Sequence, residues 1–235
     1  MRHTIAGTGA VVLLAAMAMA APAADDAPGA RVEAQAALKP FGPLVGTWRG
    51  TGQPQRGRSQ GAWTESASWA WRLSSGSAGL AIEVEKGKYL KAATLRPGAG
   101  AGSYVLDATL ADGSKRSFAG RGGDGKPLVL TADEPGDGPR RVTLTIPNEL
   151  RFLLLIESHP AANAPFARLG EVGFTRNGVS FAAGESGPVC IVTEGRGTIP
   201  VSHAGKAYWV CCSGCRDLFN QDPAAIIAEA EARKK

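Results

Sequence analysis

The chain has 235 residues, with 26 Lys and Arg against 21 Asp and Glu, and a formal net charge of +5. Its basic residues occur in short, dispersed groups such as Arg56-Gly57-Arg58 and Arg140-Arg141. A nucleic-acid surface needs a basic patch with stacking aromatic residues beside it. We therefore expect no nucleic-acid partner.

The N-terminus has the features of a secretory signal over residues 1–23. Arg2 gives a positive start, residues 11–20 form an apolar run too short for a comfortable membrane span, and Ala21-Pro22-Ala23 offers small residues for cleavage. The sequence thus predicts a periplasmic or secreted protein without a stable membrane span after cleavage. Residues 24–39 are interpreted as a linker or loosely ordered lead-in.

Residues 40–183 consist of short segments in which apolar and polar residues alternate, which is typical of half-buried strands. Asp112-Gly113 and Asn177-Gly178 are strong hairpin signals, the second between predicted strands at 170–175 and 179–182. About ten strands without a crossover helix indicate a mainly β protein: an antiparallel meander that removes its edges by closing into an up-and-down barrel.

One predicted strand places Trp63, Trp69 and Trp71 on a single face. These tryptophans are candidate wall residues for a small apolar ligand, or they fill a closed core. Small barrels are usually packed by their own side chains, so core packing is the favoured interpretation.

The first strand carries Gly46-Thr47-Trp48, and with the strand pattern this part resembles the lipocalin and fatty-acid-binding-protein superfamily of barrels. The resemblance implies an up-and-down barrel and, in many members, an apolar ligand.

All four cysteines lie in the last quarter of the chain, in a predicted second module over residues 184–235. Cys190 precedes a predicted hairpin that ends at Cys211, and Cys212 and Cys215 begin a helix. Asp222-Pro223 predicts the start of a final helix, and the charged tail from Glu229 is expected to fray. Thiolates gathered in this way indicate either a soft-metal site or disulfides.

This module resembles the YHS and TRASH group of small treble-clef-like, heavy-metal-binding domains. The matching residues are Pro188-Val189-Cys190, Gly205-Lys206 with Tyr208, the cysteine run from 211 to 215, Phe219 and Asp222-Pro223. The resemblance implies that Cys190, Cys211 and Cys215 are the metal ligands. Cys212 is additional to that pattern: it is either a fourth ligand or a buried or reactive thiol that turns away, and His203 is the competing fourth ligand. Three or four sulfurs suit zinc or copper, and the sequence does not separate these two ions.

Two alternatives use the same cysteines differently. An even number of cysteines in an exported chain can form structural disulfides, which would leave the barrel as a binder of apolar ligands. Cys212 and Cys215 could also form a redox pair, although thioredoxin-like enzymes place such a pair in a βαβ unit that this sequence lacks. No hydrolase motif or phosphate loop occurs either. We therefore expect a non-enzymatic protein for metal buffering, delivery or sensing, and its protein partner stays open.

Overall fold

A computed structural model describes residues 29–178 and 187–234. The predicted signal over residues 1–23 and the predicted strand over 179–182 lie outside this part. Within the two described ranges, no helix combines the length and the apolar character needed to cross a membrane.

Ten consecutive strands make up the body of the molecule. They are β1 (Gly46–Gln53), β2 (Trp63–Leu73), β3 (Ala78–Glu85), β4 (Leu90–Pro97), β5 (Ser103–Leu110), β6 (Lys115–Gly123), β7 (Lys126–Thr131), β8 (Gly136–Asn148), β9 (Arg151–His159) and β10 (Ala167–Arg176).

Each strand pairs antiparallel with the next, and β1 pairs with β10, so the sheet closes. The closing register runs from Trp48 opposite Arg176 to Gln53 opposite Glu171. Because closure pairs every strand on both sides, no edge is left exposed. The predicted antiparallel barrel is confirmed. Both edges of β10 are occupied, by β9 and β1, and Asn177-Gly178 follows this strand.

The alternation predicted for β2 is also present, because Glu65, Ala67, Trp69 and Trp71 are buried while their neighbours are more exposed. A cluster of aromatic rings fills the interior at the level of Trp69. Phe152 stacks on Phe174 at 4.4 Å between ring centroids and meets Trp48 edge-on at 4.8 Å. Such offset and edge-to-face contacts are the favoured arrangements of buried aromatic rings.

A helical segment precedes the barrel, where the sequence predicted a loosely ordered linker. Helix α1 (Ala30–Leu38) continues into a 3-10 helix over Lys39–Leu44. Leu38 and Phe41 join the barrel core, and the Phe41 ring packs edge-on against Tyr104 at the start of β5, at 4.9 Å. The linker prediction was wrong for these residues because the segment's few large apolar side chains reach the barrel core.

The C-terminal module consists of a hairpin, β11 (Ile199–His203) and β12 (Lys206–Val210), followed by helices α2 (Ser213–Gln221) and α3 (Pro223–Ala232). The predicted N-cap is confirmed, since the Asp222 carboxylate accepts the N–H of Ala225 at 3.0 Å. The tail does not fray at Glu229. Its carboxylate accepts two hydrogen bonds from Arg31 of α1, at 2.6 and 2.7 Å, and this pair holds α3 against α1.

The module docks on the barrel through α2, which packs against β2. A methyl group added to Gly214 would lie 1.8 Å from the carbonyl oxygen of Trp71. Only glycine therefore allows the start of α2 to approach the β2 backbone so closely. This contact fixes the position of the cysteines at the helix start.

Candidate metal centre

Cys190 lies in a tight turn that is bonded to the hairpin. Its N–H donates to the carbonyl of Gly195 at 2.7 Å, and its own carbonyl accepts the N–H of Glu194 at 2.9 Å. The next residue, Ile191, donates its N–H to the carbonyl of Trp209 in β12. The first cysteine is thus held beside the strand that leads to the other three.

Cys211 follows β12 directly, at the open end of the hairpin. The last ladder pair joins Ile199 to Val210, and the hydroxyl of Thr198 donates to the carbonyl of Cys211 at 3.0 Å. Cys215 then lies in the first turn of α2, where unpaired backbone N–H groups and the helix dipole favour a negative sulfur. The hairpin and the helix start therefore bring together residues that are 25 positions apart in sequence.

The sulfurs of Cys190, Cys211 and Cys215 all lie within 4.8 Å of one another. Cys211 and Cys215 are 3.5 Å apart, whereas a disulfide has an S–S length of about 2.05 Å. All four cysteines are free thiols. Two sulfurs on one tetrahedral zinc ion, each at about 2.3 Å, would be about 3.8 Å apart. The three residues fit a metal ion in spacing and in donor chemistry.

The burial of this group also suits a bound ion. Cys190 and Cys215 have no exposed surface, and Cys211 is 8% exposed. Buried, closely spaced sulfur donors form the kind of site that holds zinc or cuprous copper.

Cys212 makes different contacts from the other three cysteines. Its sulfur lies 3.9 Å from that of Cys211, but it is not part of the compact group and accepts the backbone N–H of Trp71 at 3.4 Å. This hydrogen bond joins the cysteine cluster to barrel strand β2. The assignment of Cys212 as a metal ligand stays a prediction.

Hydrogen bonds between the thiols shift their acidity in opposite directions. Hydrogen bonding with Cys211 is the main cause of the lowered pKa of Cys190 and Cys212. Hydrogen bonding with Cys190 is the main cause of the raised pKa of Cys211 and Cys215. A bound cation would favour the thiolate form of each ligand.

His203 is not close to the cysteine group. It pairs with Lys206 at the turn of the hairpin, four residues along β11 from Ile199. Four residues of strand span about 13 Å. His203 therefore lies at the far end of the hairpin, and its suggested role as a fourth ligand was wrong.

The three tryptophans proposed for a barrel ligand share one face of β2 but have different neighbours. Trp63 is half-buried and packs edge-on against Tyr89, at 5.7 Å between ring centroids. Trp69 belongs to the aromatic cluster around Phe152, at 6.2 Å. The backbone of Trp71 contacts the start of α2, while its side chain is buried in the core cluster. Their contacts are those of core packing, and ligand binding by the barrel stays a prediction.

Two contacts of the centre were missed by reasoning from the sequence. The hydroxyl of Thr193 lies 3.4 Å from the sulfur of Cys211, and the backbone of Trp71 contacts Cys212. Thr193 has no distinguishing pattern around it in the sequence. The Trp71 contact joins residues 141 positions apart, so it depends on how the module docks.

No model of a known protein family matches this sequence. No curated protein matches it either. Ten chains among the solved structures match. One is Rv2717c from M. tuberculosis, with 18% sequence identity, a TM-score of 0.41, and coverage of 60% of this chain and 97% of that chain. This is a likeness of shape, and it says nothing about ligand or function.

Proposed function

We propose that this protein is an exported, non-enzymatic metal-binding protein in which Cys190, Cys211 and Cys215 hold one zinc or copper ion for buffering, delivery or sensing. The observation that carries the proposal is the convergence of three buried, unpaired sulfurs within 4.8 Å of one another.

The spacing of the sulfurs favours a metal over the alternative of structural disulfides. Cys211 and Cys215 are 3.5 Å apart, which is near the separation of two ligands of one ion. A bound ion also gives a reason why free thiols would survive in an oxidising compartment, because metal-bound, buried sulfurs are protected from oxidation.

The order of elements in the module supports its kinship with the YHS and TRASH group. A cysteine-bearing turn, a hairpin and a helix whose first turn carries cysteines follow one another, as that resemblance implies. A module of about fifty residues has a small core of its own, so metal binding is expected to contribute to its folding.

A redox role for Cys212 and Cys215 has less support. The sulfur of Cys212 accepts a hydrogen bond from the backbone N–H of Trp71, and the sulfur of Cys215 lies 3.5 Å from that of Cys211. The ten barrel strands are antiparallel, whereas thioredoxin-like pairs belong to βαβ units.

The test is elemental analysis of the purified protein together with three single variants. Cys190→Ser and Cys215→Ser are expected to lose the metal, because a serine hydroxyl is a poor ligand for a soft cation. Cys212→Ser is the matched control. It should keep one metal ion per chain, since serine can still accept the N–H of Trp71 and the three ligands remain.

Full metal content in Cys190→Ser or Cys215→Ser would show that the ligand assignment is wrong. Loss of the metal in Cys212→Ser would add Cys212 to the ligand set. If the wild-type protein contains no metal and its mass is two daltons lower for each pair of cysteines, disulfides are present and the proposal fails.

A further inference from the structure

A cleft of about 350 Å³ opens beside the metal centre. It lies between α1, the end of β10 and the turn over residues 192–196, and we call it the arginine cleft. Its walls include Gln35, Arg176, Thr193, Arg196 and Cys211.

The arginine cleft reaches the one metal ligand that has exposed surface. Cys211 is 8% exposed, whereas Cys190 and Cys215 have none. The Thr193 hydroxyl, which also lines the cleft, lies 3.4 Å from the Cys211 sulfur. A group that exchanges with the bound ion would therefore meet Cys211 first.

The cleft is electropositive. Of the residues described in the structure, five cationic side chains line it against two carboxylates, Glu149 and Glu194. The cationic residues are Arg31, Lys39, Arg176, Arg196 and Arg233.

Among the residues that the structure describes, two of these cations have no carboxylate partner. Arg31, Lys39 and Arg233 form ion pairs, but Arg176 and Arg196 have no carboxylate oxygen within 4 Å in the described residues. Arg176 donates instead to the backbone carbonyls of Pro43, Val45 and Glu149. Arg176 and Arg196 line the same cleft, and the pKa of Arg176 is lowered first by burial and then by the positive charge of Arg196.

A positive entrance to a cation site needs a physical explanation. A bare metal ion is repelled by the positive charge of the cleft, whereas a metal complex with a net negative charge is attracted to the cleft and concentrated in it. A thiolate carrier also keeps a soft ion in sulfur coordination during the exchange.

We propose that the arginine cleft loads the cysteine site from an anionic complex of the metal with a small, carboxylate-bearing thiol. The inference rests on the proposed metal-binding function. In the first step one bond from the metal to a carrier sulfur breaks and one to Cys211 forms. The Cys211 proton leaves with the carrier, which departs as a free thiol, and no oxidation state changes.

The experiment measures the rate of loading of the metal-free full chain from two zinc complexes. One carrier is 2-mercaptosuccinate, which adds two carboxylates, and the other is cysteamine, which adds an ammonium group. Both donate thiolate sulfur but differ in charge and in their second donor group, so the arginine variants are needed to isolate the effect of charge. Native mass spectrometry at timed intervals follows the metal-bound fraction.

Wild-type protein is expected to load about tenfold faster from the mercaptosuccinate complex than from the cysteamine complex, and less so at high salt. Arg196→Glu should remove this preference, and Arg196→Ala should have an intermediate effect. Arg58→Glu is the matched control, because Arg58 is an exposed residue outside the cleft and carries the same charge change.

Equal loading rates from the two complexes in wild type would overturn the inference, as would an Arg196→Glu variant that behaves like Arg58→Glu. If the wild-type chain still reaches one zinc ion in those cases, the proposed function stands without this loading route. A wild-type chain that takes up neither zinc nor cuprous copper from the complexes of either carrier would overturn both.

Discussion

Gly214→Ala tests the contact that holds the C-terminal module on the barrel. At an open helical position this substitution stabilises a helix by up to about 1 kcal/mol, because glycine loses more backbone entropy on folding. At Gly214 the new methyl would meet the Trp71 carbonyl oxygen at 1.8 Å and its carbon at 2.8 Å. Both atoms belong to the backbone of β2, which is fixed by its neighbours in the closed sheet.

The clash reverses the expected effect on stability, from a gain to a loss. Side-chain carbon atoms essentially never approach another heavy atom within 3.0 Å, so the start of α2 must move by more than about 1 Å. Forcing an extra carbon into a packed contact costs about 2 kcal/mol, and the same movement displaces Cys215 from Cys190 and Cys211. If the whole cost falls on the metal-bound state, zinc affinity drops about thirtyfold.

The assay combines urea unfolding, followed by tryptophan fluorescence, with zinc affinity from competition against a chromogenic chelator. Gly42→Ala is the matched control. A methyl group at Gly42 meets no atom within 4 Å, and its backbone does not require glycine, so this variant should be as stable as wild type or slightly more stable. If Gly214→Ala also keeps its stability and zinc affinity, the docking contact does not position the site.

Two further substitutions probe other contacts. Glu229→Ala should lower the free energy of unfolding by about 1–2 kcal/mol because it leaves the buried Arg31 without its partner, while Lys39→Ala, which breaks an exposed pair, should cost less than about 0.5 kcal/mol. If urea unfolding shows that the two variants lose equal amounts of unfolding free energy, this ranking is contradicted. Burial raises the pKa of Glu65, although the indole N–H of Trp63 partly offsets it. Folding therefore favours protonated Glu65, and the contribution of Glu65 to stability should fall as pH rises from 4.5 through the raised pKa. Glu65→Gln should lack this loss when unfolding is measured between about pH 4 and 8, and parallel curves for the two proteins would refute the assignment.

Local sequence patterns were sufficient to predict the barrel. Alternation in β2 predicted its buried face, and Asp112-Gly113 predicted the turn between β5 and β6, because side-chain period and turn geometry depend on neighbouring residues. The prediction was less accurate at the ends. Residues 30–38 have few large apolar side chains, and their helix is held by contacts with distant residues such as Tyr104 and Glu229.

By itself, the sequence determined the closed β architecture, the hairpin and the helix start that carry the cysteines. Only the tertiary structure decided which sulfurs converge, that Cys212 turns towards Trp71, and that His203 lies at the far end of the hairpin. It also placed Cys211 in one cleft with Arg176 and Arg196, which come from two separate parts of the chain. The physical reason is that alternation and turn residues act over a few positions, whereas these contacts depend on barrel closure and on the close approach at Gly214.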